Sequence, residues 1–114
     1  MLKNLLNQLN TEPENVIFSE VISVINQHYI YTPTSFINGD ISNDAGTNEG
    51  SCKIFAFAQL NNLSEQQTLA CFGDYYRIDV LLYPEANDHA NIRNFIKTGW
   101  QGIKFAGAAL QLKA

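Results

Sequence analysis

Hydrophobic residues return every three or four positions along the first part of the chain, the spacing of one face of an α-helix. The leucines within residues 2–9 predict a short amphipathic helix that must pack on the rest of the chain to be stable. Thr11, Pro13 and Glu14 predict the start of a second helix, as an N-cap, a first-turn proline and the acidic member of a capping box. The apolar stripe of that helix consists of Ile17, Val21, Val24, Ile25 and His28.

The middle of the chain changes from extended structure to a loop and then to an apolar segment. Pro33 ends the second helix at or before Thr32, and residues 34–38 read as extended up to an Asn-Gly turn signal. Residues 40–50 predict a long polar loop. Ser51 is placed to cap a helix that begins at Cys52. The apolar segment that follows alternates in a way that also suits a strand, but its alanines favour a buried central helix.

The second half of the chain predicts two more helices and a strand. A capping box at residues 64–67 begins a helix whose stripe reaches the tyrosines at 75 and 76, with a continuation toward Pro84. Asn87 and Asp88 are predicted to cap the last long helix, which Gly99 ends. That helix is predicted to bury Ile92, Phe95 and Ile96. Residues 100–106 predict a strand that pairs with residues 34–38, and residues 108–113 predict one more helical turn.

These elements predict a single compact domain over residues 1–114 of the α+β class, dominated by about five helices with a small two-stranded sheet. The 46% hydrophobic content is sufficient for a core, and the net charge is −4 without a cluster of lysine or arginine. We therefore expect neither nucleic-acid nor membrane binding. The beginning of the chain lacks the apolar stretch of a signal peptide, and two cysteines in apolar surroundings indicate reduced thiols, so a cytoplasmic location is expected. A disulfide between Cys52 and Cys71 stays open at this stage.

The most unusual local chemistry lies in the loop at residues 43–53. Its candidate ligand-binding residues carry oxygens or a positive charge: Asp44, Asn48, Glu49, Ser51 and Lys53. A polar loop at a helix start can present backbone N–H groups to an anion. The glycines of this loop are too close together for a phosphate-binding P-loop, and a calcium loop would need glycine where Asn43 stands. We therefore predict no bound metal and no cofactor.

A thiol site is the sharpest enzymatic hypothesis. Cys52 in the first turn of a helix beside Lys53 has a setting that can lower a thiol pKa. His89 is the candidate base, with Asp44, Glu49 or Asp88 to orient it. Three further residues, Tyr76, Arg93 and Trp100, extend the ligand-binding candidates to the aromatic and cationic side chains of the second half.

Several blocks of the sequence together resemble the HopJ family of putative type III effectors. These are residues 31–36 (YTPTSF), 45–58 (AGTNEGSCKIFAFA), 72–77 (FGDYYR), 88–95 (DHANIRNF) and 99–105 (GWQGIKF). The resemblance covers most of the chain in family order. It implies no established biochemical activity and supplies no catalytic residues.

Three functions follow as hypotheses. The first is a small cytosolic binding module that acts through the loop at residues 43–53 on a small metabolite or a protein partner. The second is a small hydrolase or transferase that uses Cys52 and His89. The third is a host-directed effector, secreted by a type III system, whose partner is a host protein.

Overall fold

The computed structural model describes residues 1–113 and contains five α-helices and five short strands. The helices are α1 (Leu2–Thr11), α2 (Phe18–His28), α3 (Glu49–Leu60), α4 (Glu65–Ala70) and α5 (Ala90–Thr98). The strands are β1 (Tyr29–Tyr31), β2 (Phe36–Asn38), β3 (Ile41–Asn43), β4 (Ile103–Phe105) and β5 (Leu110–Leu112). Two single-turn 3₁₀ segments, Pro13–Asn15 and Gly99–Gly102, and a π-helical segment, Tyr75–Val80, complete the fold. The predicted helix-dominated α+β class is confirmed.

Helix α3 is the centre of the core, as its uniformly apolar sequence predicts. Its residues Ile54, Phe57 and Ala58 are fully buried. The Phe55 ring, also fully buried, lies 5.0 Å from the Phe95 ring and contacts further rings from β2, from the segment after α4 and from the turn after α5. Elements from both halves of the chain therefore pack on one helix. Across the described residues, no helix is long and apolar enough to cross a membrane.

The strands form two antiparallel sheets where the sequence predicts one. In the three-stranded sheet the order is β3-β2-β4, and Phe36 pairs with Phe105, which confirms the predicted pairing between these segments. The two-stranded sheet joins β1 to β5, with Tyr31 opposite Leu110. The predicted helical turn at residues 108–113 is therefore wrong. The open hydrogen-bonding edge of β1 pairs with this segment, and that long-range pairing overrides the local helix preference of its alanines.

Several predicted boundaries in the first half are also wrong. Thr11 does not cap α2. It ends α1, where its hydroxyl donates to the carbonyl of Asn7 at 2.9 Å. Ile17 is the N-cap of α2 and is 52% exposed, so it lies outside the buried stripe. The predicted long loop is shorter, because β3 occupies residues 41–43 after a turn at Gly39, whose φ is +63°.

The helical stripe predicted through residues 69–83 is interrupted. Gly73 adopts a φ of +60°, and the chain continues as the π-helical segment, so α4 ends at Ala70. A Cβ at Gly73 would lie 2.9 Å from the backbone nitrogen of Phe18, which explains why a residue without a side chain stands there. In α5, Ile92 and Phe95 are buried as predicted, whereas Ile96 is 47% exposed. The predicted stop at Gly99 and the capping box of Ser64 with Gln67 are both confirmed.

A cluster of buried asparagines fastens α5 to the sheet. The side chain of Asn91 accepts hydrogen bonds from Asn38 at 3.0 Å and from Asn43 at 3.2 Å, and donates to Asn43 at 2.9 Å. Asn43 also accepts from Asn48 at 2.7 Å, and Asn94 donates to the carbonyl of Asn38. Within the described part of the chain, one amide oxygen of the cluster, Oδ1 of Asn38, has no hydrogen-bond partner. The cluster thus fixes where the first turn of α5 lies relative to β2, β3 and the start of α3.

Replacing Asn91 with alanine should destabilise the fold by about 2–4 kcal/mol. The change removes three buried side-chain hydrogen bonds to Asn38 and Asn43, each worth about 0.5–1.5 kcal/mol, while both amides keep other partners. Urea denaturation of both proteins measures the difference. The control is Asn87→Ala, an exposed residue before α5 whose loss should change the free energy of unfolding by less than about 0.5 kcal/mol. A loss at Asn91 no larger than at Asn87 would contradict a supporting role for the cluster.

Candidate functional site

The beginnings of two helices meet on one side of the molecule. Asn48 precedes α3 with a φ of 49°, and His89 precedes α5 with a φ of 52°. Both predicted caps are therefore wrong: Ser51 lies inside the first turn of α3, and Asn87 and Asp88 lie before the true N-cap of α5. Neither N-cap side chain accepts a hydrogen bond from its own helix. The first-turn N–H groups of both helices are thus left without side-chain caps.

The side chains that would otherwise cap these helices are engaged elsewhere. Asn48 donates to Asn43, inside the asparagine cluster. The Nε2 atom of His89 lies 2.9 Å from Oδ2 of Asp79, and the His89 ring lies 5.0 Å from the ring of Tyr75. Both left-handed residues are consequently held by contacts outside their own helices, which is why local capping rules place the helix starts incorrectly.

A cavity of about 370 Å³ lies between the two helix starts. Its walls combine first-turn residues of both helices with aromatic rings from the core and the π-helical segment. They are Phe18, Ile41, Asn48, Gly50, Ser51, Phe72, Tyr75, His89, Ala90, Asn91 and Ile92. The volume falls within the range of small-molecule sites, roughly 300–1,000 Å³. The predicted site residues Asn48, Ser51 and His89 are brought together here.

The other predicted ligand-binding residues lie outside this cavity. Asp44 borders a separate groove along β2 and β4, and Tyr76 borders another beside Pro13. Lys53 donates to the side chain of Asn26 at 3.0 Å and lies 4.8 Å from the centre of the Tyr31 ring.

Three further candidates have contacts of their own. Burial raises the pKa of the Tyr31 hydroxyl and of the Cys52 thiol, and Glu49, an exposed residue in the first turn of α3, raises both further. The indole of Trp100 donates to the carbonyl of Leu63 at 3.2 Å and packs on the core. Arg93 binds the carbonyl oxygens of Asp79, Tyr83 and Asp88.

Cys52 is buried, with 1% of its surface exposed, and its Sγ lies 3.6 Å from the carbonyl oxygen of Thr34. Burial raises the pKa of the Cys52 thiol, which is opposite to the predicted lowering. Its described partners do not include His89, which contacts Asp79 instead. Cys71 is likewise buried, which raises its pKa to about 12, and the two cysteines are not bonded to each other.

The residue that the sequence analysis missed is Asp79. It lies within the π-helical segment, and only the fold brings its carboxylate to His89. The second carboxylate beside His89, Oδ2 of Asp88, lies 3.8 Å from Nε2 and was among the predicted orienting groups. The hydrogen bond from Arg93 lowers the pKa of Asp88 and keeps that carboxylate ionised.

The Cys52 thiol should react slowly in the folded protein. Because its pKa is raised, less thiolate is present at neutral pH than for a free thiol, and the sulfur is also covered. In a Cys71→Ala variant, we expect a thiol-specific reagent to modify native Cys52 at least about tenfold more slowly than the same chain unfolded in guanidinium. The labelling rate of the native protein should continue to rise as the pH is raised above about 8.5, the pKa of an ordinary thiol, because the pKa of Cys52 is raised. Fast, complete labelling of the native protein at neutral pH would contradict this.

Comparison with known proteins places the chain in a family. A family model for HopJ type III effector proteins matches residues 2–110. The crystal structure of a protein of unknown function, VPA0580, superposes with a TM-score of 0.98 at 53% identity, over 99% of this chain and 94% of that one. No protein with a curated description matches. The match to the family model spans nearly the whole chain and confirms the resemblance seen in the sequence, so this chain belongs to the HopJ type III effector family.

Proposed function

We propose that this protein is a binding module that holds a small anionic metabolite in the cavity between the starts of α3 and α5. The observation that carries the proposal is the cavity itself, a space of about 370 Å³ bordered by the loop at residues 43–53. Concave sites of this size with a few converging polar groups are typical of small-molecule binding.

The two helix starts support an anionic group at one end of the proposed ligand. Each helix carries roughly +0.5 of an elementary charge at its N-terminus, and first-turn N–H groups favour anions. Residues Gly50 and Ser51 of α3 and Asn91 and Ile92 of α5 border the cavity in these first turns. The Ser51 hydroxyl and the His89 ring add two further groups that can hydrogen-bond a carboxylate or a phosphate.

The aromatic walls support an apolar body for the rest of the proposed ligand. Phe18 and Tyr75 pack edge to face with centroids 5.0 Å apart, and Phe72 comes from the core side. Flat or aliphatic groups gain about 25 cal/mol for each Å² of apolar surface that such walls remove from water. A small metabolite with an anionic end and an apolar body matches both halves of the cavity.

A larger groove, of about 480 Å³, runs between α1 and α2 and is the alternative ligand site to compare with the cavity. It is lined by Met1, Asn4, Leu5, Gln8, Glu20, Ser23 and Val24. Those residues come from a single helix pair and include the acidic Glu20, which disfavours an anion, whereas no acidic residue is among the described residues that line the cavity at the helix starts. The cavity at the helix starts is therefore the better candidate in spite of its smaller volume.

A thermal-shift screen of carboxylates and phosphorylated metabolites, in buffer with EDTA, tests the proposal. A ligand at about 100 times its dissociation constant stabilises the protein by about 2.7 kcal/mol, which should raise the melting temperature by roughly 10 °C. In Ser51→Leu, the larger side chain fills the cavity, so the shift should disappear. The control, Ser23→Leu, adds the same side chain to the groove between α1 and α2 and should keep the shift. No shift with any anion, or a shift lost only in Ser23→Leu, would overturn the assignment.

Family membership supports a second proposal: that this binding module acts after export by a type III secretion system. The support is the match of the HopJ type III effector family to residues 2–110. A fusion of the chain to a calmodulin-dependent adenylate cyclase reporter should raise host-cell cyclic AMP in a secretion-competent strain. The matched control is the same fusion in a strain with an inactive secretion ATPase. Equal cyclic AMP in both strains would reject export and leave the binding proposal intact.

A further inference from the structure

We propose that Asp79, Asp88 and His89 bind a divalent transition-metal ion at the edge of the cavity. One ligand atom from each of these three residues lies within 4.8 Å of the other two. The site depends only on these residues and their neighbours, so it stands whether or not the cavity holds a metabolite.

Two of the three ligand separations lie close to those around a bound metal ion, and all three are within 4.8 Å. The Nε2 atom of His89 lies 2.9 Å from Oδ2 of Asp79 and 3.8 Å from Oδ2 of Asp88. Zinc bonds to nitrogen and carboxylate oxygen of about 2.0–2.2 Å give ligand separations of roughly 3.4 Å in a tetrahedral site. The observed separations lie on either side of that value. The ion would take the place of the proton between Nε2 and Asp79, and that proton leaves to solvent.

Arg93 organises both carboxylate residues without occupying the atoms that face His89. Its guanidinium donates to Oδ1 of Asp88 at 2.7 Å and to the backbone carbonyl of Asp79 at 3.1 Å. It also donates to the carbonyl of Tyr83 at 2.9 Å, which ties down the intervening segment. Oδ2 of Asp88 is left free to face the ion. Outer hydrogen bonds of this kind orient metal ligands and raise affinity.

The local charge favours a cation. Two carboxylates supply two negative charges and Arg93 supplies one positive charge, while His89 must be neutral to ligate a metal. The start of α5 adds roughly +0.5 of an elementary charge, which offsets only part of the net negative charge that is left by the two carboxylates and Arg93. A divalent ion would therefore meet a net negative site on a protein whose overall charge is −4.

The donor set and the surroundings indicate the class of metal. One imidazole nitrogen with two carboxylate oxygens suits Zn²⁺ or Mn²⁺, whereas Ca²⁺ and Mg²⁺ prefer oxygen ligands alone. Because His89 also lines the cavity, the positions not filled by protein face open space. A site with three protein ligands can hold water or an anionic group there.

The test is a calorimetric titration of metal-free protein with Zn²⁺ and Mn²⁺, without any metabolite. Mn²⁺ is the stricter probe, since the two cysteines have little affinity for it, and the loss of its free-ion electron paramagnetic resonance signal gives a second readout. We expect one ion per chain for the wild type. We expect binding at least about tenfold weaker in Asp79→Asn and in His89→Gln.

The matched control is Asp74→Asn, which removes an aspartate from the same region whose side chain is 75% exposed and is paired with Arg77. It should bind the metal as the wild type does. Circular dichroism melting shows whether each variant is folded. If His89→Gln does not fold, the comparison of Asp79→Asn with the wild type still decides the test. Wild type without binding at millimolar metal, or equal binding in Asp74→Asn and Asp79→Asn, would overturn the site. Equal affinity for Mg²⁺ would overturn the choice of a transition metal.

Discussion

The asparagine cluster around Asn91 is the constraint on which the arrangement of this site depends. A buried amide that loses its partner costs about 1–3 kcal/mol, so only a narrow set of backbone positions satisfies several such amides together. The cluster joins the first turn of α5 to the two strands of the β2–β3 hairpin and, through Asn48, to the start of α3. An apolar contact would tolerate sliding between these elements, whereas paired amides do not. The cavity lies where it does because this cluster fixes both of its helix starts.

The electrostatics of the region follow from the same arrangement. Two helix starts give the floor of the cavity a partial positive character, while Asp79 and Asp88 make its edge negative. His89 belongs to both parts, since it is the N-cap of α5, lines the cavity and contacts both carboxylates. An anion inside and a cation at the edge would stabilise each other there. The two proposals meet at one side chain, although each is tested separately.

The sequence predicted the parts of this fold that are governed by burial. The apolar segment around Phe55 predicts the central helix, the paired segments around Phe36 and Phe105 predict the sheet, and the Ser64 capping box is local chemistry that the fold keeps. The errors concentrate where distant contacts override local preference. Asn48 and His89 adopt left-handed backbone conformations, and their side chains contact Asn43 and Asp79, which lie outside their own helices.

In the candidate site, too, residues with notable local chemistry were identified from the sequence, whereas contacts between separate segments were missed. Asn48, Ser51 and His89 were identified from local chemistry and do border one cavity. Asp79 was missed because its segment reads as an apolar helical continuation, and ten positions separate it from the histidine that it contacts. The structure also places Cys52 in the core rather than at a reactive surface. A high density of asparagine near residues 38–48 and 87–94 was the available signal for the cluster, but periodicity analysis gives no weight to polar residues that pair with each other.

The turn at Asn38 and Gly39 has a consequence for the chemical ageing of the protein. Asparagine followed by glycine loses its amide readily when the glycine nitrogen can attack the side chain and close a ring, one reason why asparagine counts as thermolabile. Here the nitrogen of Gly39 is held by the carbonyl of Gly102 at 2.9 Å, and Asn38 is fully buried. The fold therefore hinders ring closure at Asn38, and the amide should be lost mainly while the chain is unfolded. An aspartate formed there would face acceptor oxygens of Asn91, so a damaged chain would refold poorly and the loss would be permanent.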